Sequence, residues 1–133
     1  MTLNAMQAAL FYVALNALIF VYLTLRVIAV RRRERISMGN NENKNLAQRI
    51  RAQANFTETT PIALISLIGL AILDAPVLWI HGLGASFTLG RLLHCHGMMG
   101  KNAVGTGRVV GMLLTVGVIL IQAALLLLMI FKT

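Results

Sequence analysis

Apolar and polar positions along the chain fall into long blocks, not short alternations. From Met1 to Leu25 there is no charge, and only Asn4, Gln7, Asn16 and a few hydroxyls interrupt the run. A membrane-spanning helix needs about 20 mostly apolar residues, so this stretch predicts a first crossing. Arg26 falls at its inner end, where a long side chain can snorkel to the headgroups. The basic run Arg31-Arg32-Arg33-Glu34-Arg35 follows, and then the turn-forming cluster Gly39-Asn40-Asn41-Glu42-Asn43. At the other end of the chain, Val109 to Phe131 is an uninterrupted span.

The middle holds two shorter uncharged runs, Thr59 to Leu73 and Ala75 to Gly90, divided by Asp74. Pro76 suits the first turn of a new helix, so Asp74-Ala75-Pro76 predicts a tight turn. Each run is about 15 residues, or about 22–24 Å of helix, while the hydrocarbon core is about 30 Å thick. Both helices must therefore extend into their charged flanks, which places polar groups at membrane depth. The pattern predicts an all-α membrane protein, one domain over residues 1–133, with four transmembrane helices at about 3–30, 44–73, 76–99 and 107–131.

Composition supports lipid as the solvent. The chain is 58% hydrophobic and only 12% charged, against about one quarter charged in soluble domains. Its 12 basic and 4 acidic residues give a net charge of +8. No aromatic-rich or groove-reading element accompanies that charge, which argues against nucleic acid. The basic residues sit instead in the loops, where they attract anionic membrane lipids and set orientation. With Lys101 and Arg108 after helix 3, and only Asp74 and Lys132 near the opposite ends, both basic loops are expected on the cytoplasmic side of an inner membrane. The N-terminus has no positive segment before its apolar run, which argues against a cleaved signal peptide. The single Cys95 allows no internal disulfide, and His94 and His96 point apart on a helix, so no metal site is expected.

Polar residues concentrate at one end of the middle helices. Arg51, Asn55 and Glu58 fall within about 60° of one another on helix 2. Arg91, His94 and Met98 share a face of helix 3. Glu58 lies 16 residues before Asp74 and Arg91 lies 17 after it, so an antiparallel pair brings them to the same depth and predicts a Glu58–Arg91 ion pair. The pair could simply lock the two helices. The added Arg51 and Asn55 point further, because intramembrane ionisable clusters commonly mark sites. Arginine forks grip carboxylates and Glu58 could take an ammonium, so the ligand expected is small, with several carboxylates and an amine.

The stretch Arg51-Ala-Gln-Ala-Asn55-Phe-Thr-Glu58-Thr-Thr-Pro61 resembles the helix-2 signature of the MAPEG family, membrane-associated proteins in eicosanoid and glutathione metabolism. Val27 to Arg32, Gly90-Arg91-Leu92-Leu93-His94 with Gly97, and Arg108-Val-Val-Gly111-Met resemble the family's helices 1, 3 and 4. The resemblance implies a homotrimer that binds glutathione between subunits near the cytoplasmic face. Arg51, Asn55 and Glu58 would hold the tripeptide, Arg31 and Arg32 would come from the adjoining helix 1, and Arg91 would belong to the same binding set. His94 would stand where several members carry Tyr or His, and Arg108 would sit beside the sulfur. Met98 and Thr59 stand where the eicosanoid enzymes usually have Tyr, and the segment from Gly97 to Arg108 differs in length. The implied activity is therefore a detoxifying glutathione transferase, with or without peroxidase activity, acting on lipophilic small-molecule electrophiles from the bilayer. Two alternatives stand beside it. One is a non-catalytic lipid- or glutathione-binding protein of the same fold. The other is a small multidrug-type transporter, which would want an acidic residue in the apolar part of helix 1, where there is none.

Overall fold

A computed structural model describes residues 4–98 and 105–131. Four helices follow one another: α1 (Ala5–Glu34), α2 (Lys44–Ile72), α3 (Val77–Met98) and α4 (Thr106–Ile130). Asn4 starts α1 with a reciprocal cap, accepting from the Gln7 amide at 2.8 Å while the Gln7 side chain accepts from the Asn4 amide at 3.0 Å. The helix runs to Glu34, about one turn beyond the apolar stretch. Arg31, Arg32 and Arg33 occupy its last turn, where cations complement the carbonyl end of the helix dipole, and Arg35 closes it in the left-handed region at φ 53°. Asn43 caps α2 by accepting from the Leu46 amide. Asp74, at φ 56°, turns the chain between α2 and α3, and the Ala75 amide donates to the Leu70 carbonyl at 3.0 Å.

The helices form one bundle with α2 and α3 at its centre. α1 packs on α2 and α3 from one side and α4 packs on them from the other, and among the described residues α1 and α4 do not meet. α1, α2 and α4 are long and apolar enough to cross a membrane. They turn residues such as Leu18, Leu25, Ile65, Leu113, Leu120 and Leu127 outward. α3 is less apolar, but its 22 residues extend for about 33 Å. Its Thr88, Arg91 and His94 are buried inside the bundle, not exposed to lipid. This is a helical multi-pass membrane fold.

Two polar links tie α1 to α3. Asn16 Nδ2 donates to Thr88 Oγ1 at 2.9 Å, and the Tyr12 hydroxyl meets His81 Nδ1 at 3.1 Å. The second contact gives His81 a partner inside the bundle.

The α3–α4 contact depends on glycine. A Cβ at Gly111 would run into the Gly90 carbonyl and the His94 backbone. Gly117, six residues further along α4, has open space around it. Gly111→Val should therefore cost about 1–3 kcal/mol through overpacking. Gly117→Ala should stay within about 0.5 kcal/mol of the parent. Thermal unfolding of both variants in mild detergent checks the contrast.

Candidate functional site

α2, α3 and α4 line an open cavity of about 610 Å³ at the end of the bundle that carries the basic residues. Its polar wall is Arg51 and Asn55 from α2, His94 from α3 and Arg108 from α4. Its apolar wall is Met98, Val109, Met112 and Leu113. The volume lies in the range of small-molecule sites, about 300–1,000 Å³. Arg51 and Asn55 reach it because they lie four residues apart, one turn of α2, on a single face. Arg108 reaches it because it lies in the first turn of α4, three residues after the Gly105 cap.

Arg91 lies behind the Asn55 wall and is fully buried. Its Nη1 donates to Asn55 Oδ1 at 2.6 Å and to Thr59 Oγ1 at 3.1 Å. The Glu58–Arg91 ion pair expected from sequence does not form. Glu58 is exposed and accepts instead from Arg51 Nη1 at 3.4 Å. Depth was matched, but direction decides: Asn55 and Thr59 share the α2 face that meets α3, whereas Glu58 is rotated about 100° from Thr59.

The Arg91 bond orients the Asn55 amide. A guanidinium only donates, so the Asn55 oxygen turns toward Arg91 and leaves its NH2 as the donor available to the cavity. That suits an acceptor on the ligand, such as a carboxylate or peptide carbonyl. His94 is fixed in a similar way. Its Nδ1 faces the Arg108 carbonyl at 3.1 Å, and because a carbonyl only accepts, Nδ1 carries the proton. The remaining nitrogen, Nε2, is buried without a protein partner among the described residues. One hydrogen bond thus holds the imidazole and the start of α4 together.

Of the residues singled out in the sequence, the structure brings Arg51, Asn55, His94 and Arg108 into one cavity. Glu58 joins them through Arg51, and Arg91 through Asn55. Arg31 and Arg32 are not brought there. They line a separate cavity of about 410 Å³ with Arg35, Ile36 and Ser37, where Arg31 Nη1 donates to the Ile36 carbonyl at 3.4 Å. His94 is buried while His96 is exposed, so the two histidines diverge. Lys101 and Lys132 lie outside the described residues. Sequence reasoning missed Thr59 as a partner of Arg91, and it missed the apolar wall on α4. The spacing 108, 109, 112, 113 on one helix face was the signal for that wall.

The fold and cavity define a helical membrane protein with an arginine-lined pocket at one end of the bundle. The sequence matches the model of the MAPEG family over residues 9–128, and the chain belongs to that family. It is similar to the inner membrane protein YecN of Escherichia coli strain K12, with 28% identity over 86 residues. YecN of Escherichia coli O6:H1 matches to the same extent. The match covers 65% of this chain and 66% of the relative, just under two thirds of that protein's length. No solved structure matches.

Proposed function

We propose that the chain is a glutathione-dependent membrane transferase that joins the glutathione sulfur to lipophilic electrophiles arriving from the bilayer. The observation that carries this reading is the single cavity collecting Arg51, Asn55, His94 and Arg108 between three helices. Arg51 supplies a guanidinium for a carboxylate, and its contact with Glu58 sets a carboxylate beside it for the ligand's ammonium. Asn55, with its amide oriented by Arg91, offers N–H donors to a peptide carbonyl. Arg108 lines the same cavity on α4, placed to favour the ionised form of a thiol. A free thiol has a pKa of about 8.5, and a neighbouring cation favours the nucleophilic thiolate. With an aryl halide as acceptor, sulfur forms the new C–S bond and halide departs with the electron pair. The lipid-facing helices and the apolar wall of Met112 and Leu113 suit a second substrate that partitions into the membrane.

Arg31 and Arg32 belong to this site only if a neighbouring subunit supplies them, so the reading includes a homotrimer. The relative YecN is named an inner membrane protein, and we place this chain likewise, with its basic end in the cytoplasm. The test of function is conjugation of glutathione to a generic aromatic electrophile by purified protein. Arg51→Ala should raise the KM for glutathione about tenfold or more with kcat less affected, as expected when a binding contact is lost throughout the reaction. Absence of conjugation by the parent protein would overturn the transferase. Native mass spectrometry in mild detergent should show three subunits, and a monomer that still binds glutathione would remove the interfacial role of Arg31 and Arg32.

A further inference from the structure

Three arginines outside the cavity converge on one flank of the α1–α2 pair. On α1, Arg26 follows Tyr22 by four residues and Arg33 follows Arg26 by seven, so the three fall within about 40° of one another. Arg49 joins them from α2. Gln53 Nε2 donates to Thr24 Oγ1 at 2.8 Å, which fixes the register of the two antiparallel helices. Arg49 is one turn nearer the basic end than Gln53 and so stands level with about residue 28 of α1, between Arg26 and Arg33. The positive charges of both act on it, as does Tyr22.

Each guanidinium is held from its own helix. Arg26 Nη1 donates to the Tyr22 hydroxyl at 3.0 Å, and the group lies 5.6 Å from the centre of that ring. Arg49 Nε donates to Asn45 Oδ1 at 2.9 Å and Arg33 Nε to Glu34 Oε1 at 2.7 Å. Neither of these two bonds uses an Nη group, where a guanidinium carries most of its N–H donors. Glu34 offsets the charge of Arg33, while Arg26 and Arg49 repel one another across the helix pair.

Depth and surroundings define the occupant. Arg26 is 21 residues beyond the start of α1, and Arg49 is 23 before the end of α2. They stand about 32 and 35 Å along their helices. The hydrocarbon core is about 30 Å thick and the bilayer about 40–45 Å with its headgroups, so both lie at the level of lipid phosphates. Below them the same stripe of α1 turns Phe11, Leu18 and Tyr22 outward. We infer that this flank is a fixed site for an anionic phospholipid, its phosphate shared by Arg26 and Arg49 with Arg33 at the edge, and an acyl chain lying along α1. A free phosphate would leave the apolar stripe unused, and a zwitterionic lipid would bring its own cation against the arginines. Arg31 lies about 160° round α1 from Arg33 and is not part of the cluster. None of the cluster residues lines the arginine cavity, so the inference stands or fails independently of the glutathione reading.

The test is lipid titration of the purified protein in an uncharged mild detergent, read by native mass spectrometry. Dioleoyl phosphatidylglycerol should bind about tenfold more tightly than dioleoyl phosphatidylcholine. Arg26→Gln and Arg49→Gln should each weaken phosphatidylglycerol about fivefold, the share of one basic residue beside an anionic lipid. Lys44→Gln removes the same charge from α2, about 140° round the helix from Arg49, and should change that affinity by less than about twofold. Phosphatidylglycerol should also raise the melting temperature, whereas inorganic phosphate at equal ionic strength should not. Equal affinity for the two lipids would overturn the site. So would an equal loss in Lys44→Gln, which marks diffuse attraction, or equal stabilisation by inorganic phosphate, which marks a free-anion site.

Discussion

Arg108→Ser should abolish the absorbance of enzyme-bound glutathione thiolate and lower kcat by about 10²–10³, the scale of losing one electrostatic stabiliser, while glutathione affinity falls only modestly. Arg108 lines the cavity from the first turn of α4, apart from the α2 residues that would grip the tripeptide. Its charge is thus expected to act on the sulfur, where negative charge must be stabilised before attack, and to add little to holding the rest of the ligand. Serine keeps a small polar group at the position, and the helix-opening backbone that His94 contacts is retained. Thiolate difference spectra with steady-state kinetics separate the two effects. Wild-type kcat in Arg108→Ser would assign the ionising charge to another residue.

Arg91→Met should reduce glutathione affinity about tenfold or more, in line with the roughly 1.5–3 kcal/mol that a hydrogen bond to a charged group contributes, with little loss of stability. Arg91 bonds Asn55 and Thr59 and does not line the cavity, and of these two partners only Asn55 lines it, so the hydrogen-bonded route to the ligand runs through Asn55. Without it the Asn55 amide is free to turn its oxygen toward the ligand. The guanidinium is fully buried, has no carboxylate partner among the described residues, and leaves Nε and Nη2 unpaired. Replacing such a group with an apolar chain of similar length is often neutral or stabilising. Isothermal titration and thermal unfolding of the same preparation would check both halves. A variant that unfolds while its remaining folded fraction binds normally would show that Arg91 serves the fold alone.

Four helices were readable from run lengths, since apolar stretches must match the thickness of a bilayer and the charges fell between them. The Asp74-Ala75-Pro76 turn was readable because it combines a charge with a helix-starting proline. The convergence of Arg51 and Asn55 followed from helical spacing on one element. Rotation between elements was not readable. Counting from the turn put Glu58 and Arg91 at one depth, yet only the packing of α2 on α3 shows that Asn55 and Thr59, not Glu58, face the arginine. The end of α1 was also hidden, because hydropathy stops at the arginines although the helix continues through them to Glu34. Arg31 and Arg32 were grouped with the cavity by resemblance, and nothing in their local sequence says that one subunit holds them apart.

The most direct measurement is titration of purified wild-type protein with glutathione, followed by thiolate absorbance near neutral pH. Saturable binding accompanied by thiolate formation in step with occupancy is the result expected if Arg51 and Asn55 hold the tripeptide and Arg108 faces its sulfur. Saturable binding with no thiolate would make the protein a glutathione binder without activation, and no binding at all would contradict the glutathione reading of the cavity.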